Sequence, residues 1–204
     1  MKKIFNRCLT FMHELSERIC RKINECLFSD EKIEALIVES LSTHLFSGEE
    51  LAPNAKIEYD LIEDYSDEEK AFVEAREKGA TEAEGLMATT SVVDVDYYFI
   101  LFALKPVKNL IFKLSPWRAK KEIQDIAKHE AFHVRQYDYV CRHGGSEALD
   151  RLGEYFATTP YDENIFELGA YLYQFFDEVQ DFEDDFKDFI NPTSKKNPAE
   201  CSTG

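Results

Sequence analysis

The stretch IAKHEAFHVRQYDYVC, residues 126–141, decides the fold that this sequence predicts. Upstream of it, Ser115 is followed by Pro116, an order that places serine at the N-cap and proline at the first position of a helix. Downstream, a Gly-Gly pair at 144–145 is typical of a helix end. Apolar residues fill the turn before the first histidine, as a buried helix needs. The sequence therefore predicts a helix over 117–141.

The pentapeptide HEAFH within this helix has the spacing of a zinc site. His129 and His133 are four residues apart, so on a helix both imidazoles project from one face and can reach one ion. Glu130 lies about 100° around the helix from His129, which places it beside a metal-bound water instead of among the ligands. Zinc lowers the pKa of such a water to about 7, and the carboxylate can then accept its proton. The alternative is two surface histidines on an ordinary amphipathic helix.

A catalytic zinc ion usually has three protein ligands, so a third ligand is expected from another part of the chain. Position 139, where the HExxHxxGxxH pattern has its third histidine, is Tyr139. A carboxylate from a later helix is therefore the expected ligand. The acidic residues of that region are the candidates: Glu147, Glu154, Asp162, Glu163 and Glu167.

Glu167 is the strongest of these candidates, within the segment NIFELGA, residues 164–170. It lies one turn inside the helix that is predicted to begin after a Thr-Thr-Pro break. Gly169 and Ala170 would let this helix approach the HEAFH helix closely, and Asn164 could orient the carboxylate. The alternative is that Glu167 is one of the chain's many surface acids.

Together, the two segments resemble the gluzincin-type zinc metallopeptidases, and especially small bacterial and phage domains of that type. The shared pattern is HExxHxxQ, here residues 129–136, followed by N-x-x-E-x-x-A, here residues 164–170. The resemblance implies a zincin-like fold in which the two histidines and Glu167 bind Zn²⁺ and Glu130 is the general base. It takes in the HEAFH helix and the later helix, whereas residues 1–90 have no part in it.

The resemblance also implies an edge strand along the substrate cleft, to which a peptide would add through backbone hydrogen bonds. The run SVVDVDYYFILFAL, residues 91–104, is rich in β-branched and apolar side chains and gives the clearest strand signal of the chain. Residues 92–102 are the candidate for the edge strand.

Two tyrosines are candidates for stabilising the oxyanion of a reaction intermediate. Tyr137 lies one turn after the second histidine, and Tyr171 lies one turn after Glu167. Either phenol could point at an oxygen bound to the metal. The alternative is that both are packing residues, because the chain contains ten tyrosines.

The remaining segments predict an α+β protein that is mainly helical, with a small β-sheet packed beside the active-site helix. Lys56–Ile62 alternates like a short strand. The segment 64–85 is either a solvated helix or a mobile loop. Capping signals and apolar periodicity predict further helices over 3–28, 31–46, 146–156 and 163–182.

The first of these helices is amphipathic. It carries six Lys or Arg against three Glu up to Phe28. Packing against the domain or another copy is one interpretation, and binding to a membrane surface or another partner is the other. We assign residues 1–47 to an N-terminal helical extension, 48–190 to the zincin-like metallopeptidase domain, and 191–204 to a disordered tail.

The composition narrows the class of protein further. The 204 residues include 40 acidic and 24 basic side chains, and the net charge of −16 repels phosphates and argues against nucleic-acid binding. The longest apolar run, residues 97–104, is far shorter than the about 20 residues of a transmembrane helix. The N-terminus lacks the features of a signal peptide. Five irregularly spaced cysteines without a CxxC pair indicate reduced thiols, which are typical of a cytoplasmic protein.

The sequence therefore predicts a cytoplasmic zinc peptidase that hydrolyses a bond in a peptide or protein substrate, with Glu130 as general base. The alternative is a non-catalytic zinc-binding protein that acts through its acidic surface or its N-terminal amphipathic helix.

Overall fold

The structure, a computed structural model, describes residues 2–45, 51–76 and 86–191. Within these ranges the chain forms α-helices, a small β-sheet and one turn of 3-10 helix at Tyr161–Glu163. The helices are α1 (Lys2–Leu27), α2 (Asp30–Leu45), α3 (Asp67–Arg76), α4 (Leu104–Ile111), α5 (Pro116–Thr158), α6 (Ile165–Phe176), α7 (Phe182–Asp185) and α8 (Lys187–Ile190). The strands are β1 (Lys56–Ile62), β2 (Ala88–Asp94) and β3 (Tyr97–Ala103). The prediction of a mainly helical α+β protein is confirmed.

The three strands form one mixed sheet in the order β1–β3–β2. β1 runs parallel to β3, and β2 runs antiparallel to it, with Ala88 opposite Phe102. Tyr98, Ile100 and Phe102 are fully buried because alternate side chains of β3 join the core that the sheet shares with α5. The Tyr98 hydroxyl lies 3.2 Å from an Asp138 carboxylate oxygen, a contact that ties the middle strand to α5.

The prediction of one strand over 91–104 is wrong. β2 and β3 are the two arms of a hairpin that turns at Val95 and Asp96, and Leu104 already begins α4. The turn contains no glycine or asparagine, the residues that usually mark a two-residue hairpin turn, so the β-forming residues on both sides resemble one strand. The assignment of 92–102 to one edge strand is also wrong, because residues 97–102 lie in the middle strand β3. The edges of the sheet are β1 and β2, and β2 is the edge that contains residues 92–94.

Helix α5 occupies the centre of the protein. Every residue from Asp125 to Asp138 is buried, which requires neighbours on all sides of the helix. The helix is broken at Gly145, whose φ of 63° lies in the left-handed region that favours glycine. This break confirms the predicted end of the HEAFH helix and the start of a second helix at residue 146.

Helix α2 belongs to the same hydrophobic core as α5. Ile33, Ile37 and Leu41 are buried there, and the Ser40 hydroxyl donates a hydrogen bond to the Gln124 carbonyl oxygen at 2.7 Å. The predicted boundary at residue 47 falls outside the described residues, and so does the tail from 192 onward. The domain division therefore stays a prediction, but α2 packs as part of the core.

Helix α6 ends earlier than the predicted segment 163–182. Asp177 adopts a left-handed conformation (φ 57°, ψ 20°) directly after Phe176 and so ends the helix. Its carboxylate pairs with the Lys128 amine, which also donates to the Gln174 carbonyl oxygen at 3.2 Å. These contacts fix the end of α6 against α5, at the residue directly before the HEAFH segment.

None of the helices that the structure describes combines the length and the apolar character needed to cross a bilayer. Cys20, Cys26 and Cys141, the cysteines whose surroundings are described, are all free thiols.

Candidate metal centre

Helices α5 and α6 bring two histidines and one glutamate together at a buried point. His129 Nε2 and His133 Nε2 are 3.0 Å apart. Each lies 3.3 Å from a carboxylate oxygen of Glu167. The potential ligand atoms of the three residues all lie within 4.8 Å of one another, and all three residues are buried. This group can hold a metal ion.

The structure places Glu167, and none of the alternative carboxylates, at this point. Its side chain is 4 % exposed, whereas the other four candidates are exposed: Glu147, Glu154, Asp162 and Glu163. Asn164 is the N-cap of α6, because its side-chain oxygen accepts a hydrogen bond from the Phe166 amide at 2.9 Å. Asn164 therefore fixes where the helix begins and, through the helix register, where Glu167 points.

The charge of Glu167 is balanced by its neighbours. Burial acts to raise the pKa of this carboxyl group, but attraction to His133 and hydrogen bonds with both imidazoles outweigh burial and lower the pKa below its ordinary value. Glu167 is therefore ionised at neutral pH. A buried carboxylate of this kind requires a positive partner, which is either a protonated imidazole or a metal ion.

Two glutamine side chains determine which imidazole nitrogens face the centre. The Gln136 amide nitrogen donates to the Phe166 carbonyl oxygen at 2.9 Å and to Gln180 Oε1 at 2.8 Å. Gln136 Oε1 therefore faces His133 Nδ1, 2.8 Å away, and can only accept a hydrogen there. Gln174 Oε1 lies 3.1 Å from His129 Nδ1 in the same role. Both Nδ1 atoms thus carry hydrogen, and both Nε2 atoms are left to bind a proton or a metal ion.

Gly169 was expected to let α6 approach α5 closely, and in the structure it leaves room for the side-chain amides of Gln136 and Gln180. A methyl group at this position would lie 2.9 Å from the Gln136 amide nitrogen and would also collide with Gln180. Glycine therefore makes room for the amides that hold His133. Ala170 is fully buried next to it, in the core shared by the two helices.

Glu130 lies beside the three potential ligands without joining them. It is buried and lines a cavity of about 20 Å³ with His129, His133 and Glu167, which is room for about one water molecule. The Thr90 hydroxyl lies 2.7 Å from Glu130 Oε2 and 3.3 Å from the Glu130 carbonyl oxygen. Thr90 is on the edge strand β2, so the sheet orients this carboxylate.

The two tyrosines predicted from the sequence occupy different positions around the centre. The Tyr137 ring stacks on the His133 ring with centroids 5.6 Å apart and is almost completely buried. The Tyr171 ring lies 4.8 Å from the His129 ring, and 38 % of this residue is exposed. Both residues contact imidazoles of the potential ligands, and of the two only Tyr171 reaches the surface.

Tyr161 is a third tyrosine at the site, and the sequence analysis did not identify it. Its hydroxyl is hydrogen-bonded to Glu167 and lies 3.5 Å from the Tyr171 hydroxyl. Burial and the Glu167 charge raise its pKa, so the phenol keeps its proton and remains a donor. Tyr161 belongs to the 3-10 turn before α6. Its position directly after Pro160 marks a turn but gives no signal of a residue facing a metal.

Comparison with protein-family models, with curated proteins and with solved structures found no match to this chain. The resemblance to gluzincin-type peptidases therefore stays a prediction.

Proposed function

We propose that this protein is a zinc-dependent peptidase with a zincin-like active site. The observation that carries the proposal is the placement of Glu130. It lines the same small cavity as the His129, His133 and Glu167 ligand atoms but stands outside that group. A metal site that only stabilises the fold does not require a second, non-ligating carboxylate in the cavity beside the ion. Hydrolysis requires a proton acceptor at that position.

Zinc is the ion that best fits the donor set. Two imidazole nitrogens and one carboxylate form a common three-ligand set of catalytic zinc, which leaves one coordination position for water or substrate. When bound, zinc supplies a water whose pKa is about 7 and a positive charge that polarises a carbonyl group. His129 and His133 are held for this task by Gln174 and Gln136, which fix Nε2 as the ligand atom.

The remaining side chains have roles that follow from their positions. Glu130 accepts the proton of the attacking water and passes it to the leaving amine. Thr90 holds the Glu130 carboxylate through the 2.7 Å hydrogen bond. Tyr161 is a neutral donor that lines the same cavity and can stabilise negative charge that develops on a carbonyl oxygen. Tyr171 lies next to it, with the two hydroxyl oxygens 3.5 Å apart, and can support it in this role. Tyr137 packs against His133 and supports its orientation.

The sheet supports a peptide as the substrate. Ala88, Thr89 and Thr90 of the edge strand β2 line the cavity beside Glu130. An extended peptide can pair with such an edge through backbone hydrogen bonds, which would place one of its carbonyl groups near the metal centre.

The size of the cavity favours one alternative, a metal-binding protein without catalytic activity. Room for about one water is too little for a peptide unless the cleft opens. In this alternative the protein acts through its acidic surface or its N-terminal helix, and the metal only stabilises the fold.

The proposed function is tested by measuring zinc content and hydrolysis of a peptide mixture with the same purified protein. We expect about one zinc per chain and cleavage that stops when a chelator removes the ion. A protein that holds zinc but cleaves neither peptides nor unfolded protein substrates would support the non-catalytic alternative.

Thr90→Val is expected to lower the hydrolysis rate about tenfold and to leave zinc content unchanged, because it removes the only side-chain hydrogen bond described for Glu130 and touches no ligand. Thr90→Ser, which keeps the hydroxyl, is the matched control and should retain most of the activity. The measurements are kcat on a peptide substrate and metal analysis. A Thr90→Val protein with full activity would show that the sheet does not position Glu130.

Gln136→Met is expected to weaken zinc affinity about 10- to 100-fold, because it removes the acceptor that fixes the His133 hydrogen on Nδ1. The affinity is measured by competition with a chelator. Gln124→Met is the control, because it makes the same change on α5 at a partly exposed position outside the cavity. Equal losses in both variants would indicate a general packing defect instead of a loss of histidine orientation.

A further inference from the structure

Helix α1 carries a row of apolar side chains that remain exposed. Each of these residues is between 41 % and 62 % exposed: Met12, Leu15, Ile19, Ile23 and Leu27. At 3.6 residues per turn they share one face of the helix and span an arc of about 120°. We call these five residues the α1 stripe. Single exposed apolar residues are ordinary, but a row of five along one helix face indicates a surface that binds something.

The α1 stripe is turned away from the protein body. Asn24 is the only buried residue among residues 10 and 12–27, whose burial is described. Its side-chain amide donates to the carbonyl oxygens of Ile111 and Leu114, at 2.7 and 2.8 Å. Asn24 lies about 120° around the helix from the middle of the stripe. The contact that holds α1 to the body therefore leaves the stripe uncovered.

The charges of α1 are arranged around the stripe. Lys22 and Arg18 lie at about 80° and 120° from its middle, on the side opposite Asn24. Arg21 lies on the far side of the helix, at about 180°, and Glu14, Glu17 and Glu25 lie at about 140–160°. Residues 2–27 contain six Lys or Arg and three Glu, a net charge of +3, although the whole chain carries −16. The basic charge is thus concentrated on the helix that exposes the apolar row.

The spacing of the stripe argues against pairing with a second copy of the helix. A coiled coil requires apolar residues every 3.5 residues on average, which after Leu15 and Ile19 means position 22. That position is Lys22, and the apolar residues instead continue in steps of four at Ile23 and Leu27. A flat surface tolerates this spacing, because it contacts a whole helix face instead of a narrow seam.

We propose that α1 lies on the surface of an anionic lipid bilayer, with the α1 stripe in the acyl boundary and Arg18 and Lys22 at the headgroups. An exposed apolar face, basic residues beside it and a net positive charge of the helix are the features of an interfacial helix that binds anionic lipid. The long stems of arginine and lysine let their charged ends reach the headgroup level from the flanks of the helix. This proposal is independent of the proposed peptidase activity.

Flotation of the full-length protein with lipid vesicles tests the proposal. We expect binding to vesicles of phosphatidylcholine with phosphatidylserine, little binding to vesicles of phosphatidylcholine alone, and release by salt. The double variant Arg18→Gln/Lys22→Gln should bind the anionic vesicles about 25-fold more weakly, since each basic residue near such a surface contributes about fivefold. The exposed pair Lys105→Gln/Lys187→Gln is the control and should bind like the wild type.

The triple variant Leu15→Gln/Ile19→Gln/Ile23→Gln should lose vesicle binding. Leu168→Gln/Leu172→Gln/Phe175→Gln changes an equally exposed apolar face on α6 and should keep it. Circular dichroism confirms that each variant is folded. The proposal is overturned if the wild type does not bind anionic vesicles, or if it binds them no better than neutral ones. It is also overturned if the protein is a dimer that the α1 triple variant converts to a monomer, because the stripe is then covered by a second copy.

Discussion

Glu130→Gln is expected to keep the wild-type zinc content and to lose peptide hydrolysis by about 10²- to 10⁴-fold. Glutamine has nearly the same shape as glutamate, and its amide oxygen can still accept the hydrogen bond from Thr90. It cannot accept a proton at neutral pH. Because Glu130 is not one of the three potential ligands, the substitution removes the proton acceptor and leaves the metal site unchanged. The measurements are kcat on a peptide substrate and metal analysis of the same protein.

Glu122→Gln is the matched control for this variant. It makes the same chemical change on the same helix, two turns earlier, at a partly exposed position outside the cavity. We expect it to have wild-type activity and zinc content. If Glu130→Gln is as active as Glu122→Gln, Glu130 is not the general base. If Glu130→Gln loses zinc as well, Glu130 is itself part of the metal site and is not a carboxylate beside it.

The parts of the site that were predictable from the sequence are those determined by helix geometry. His129 and His133 face the same point because they are four residues apart on one helix, and this relation holds wherever the helix lies in the fold. Glu167 was identifiable because it lies one turn inside a predicted helix. Asn164 was expected to orient its carboxylate and instead caps the helix that carries it. Gly145 has the role that its position indicates, a helix break.

The parts that were not predictable depend on contacts between distant segments. Thr90 is 40 residues from Glu130 and reaches it only because β2 is the edge of the sheet beside α5. Gln174 and Gln180 become neighbours of the site through the position of α6 and the segment after it. No local pattern marks a threonine or a glutamine for such a role. The hairpin turn at 95–96 was missed for a related reason, since β-propensity reports side-chain fit and not the point at which a strand reverses.

Zinc is expected to raise the thermal unfolding midpoint of the wild type by about 10 °C, and His129→Ala and Glu167→Ala are expected to abolish this increase. An ion at a thousandfold excess over its Kd stabilises the folded state by about 4 kcal/mol. For a chain of this size, each kcal/mol corresponds to about 2–4 °C. Removing one of three ligands leaves two, which is too few to hold the ion tightly at a buried site. The measurement is a thermal melt with chelator and with added zinc.

Glu163→Ala is the control for this prediction, because Glu163 lies four residues before Glu167, is exposed, and was itself a candidate ligand. It should keep the full increase. If Glu167→Ala keeps the increase and Glu163→Ala loses it, the third ligand has been assigned to the wrong turn. The melt depends on binding alone, so it tests the ligand set even if no substrate is ever cleaved. Wild type and Glu130→Gln should therefore show the same zinc-dependent increase while they differ in hydrolysis. That pair of results separates a catalytic zinc site from one that only stabilises the fold.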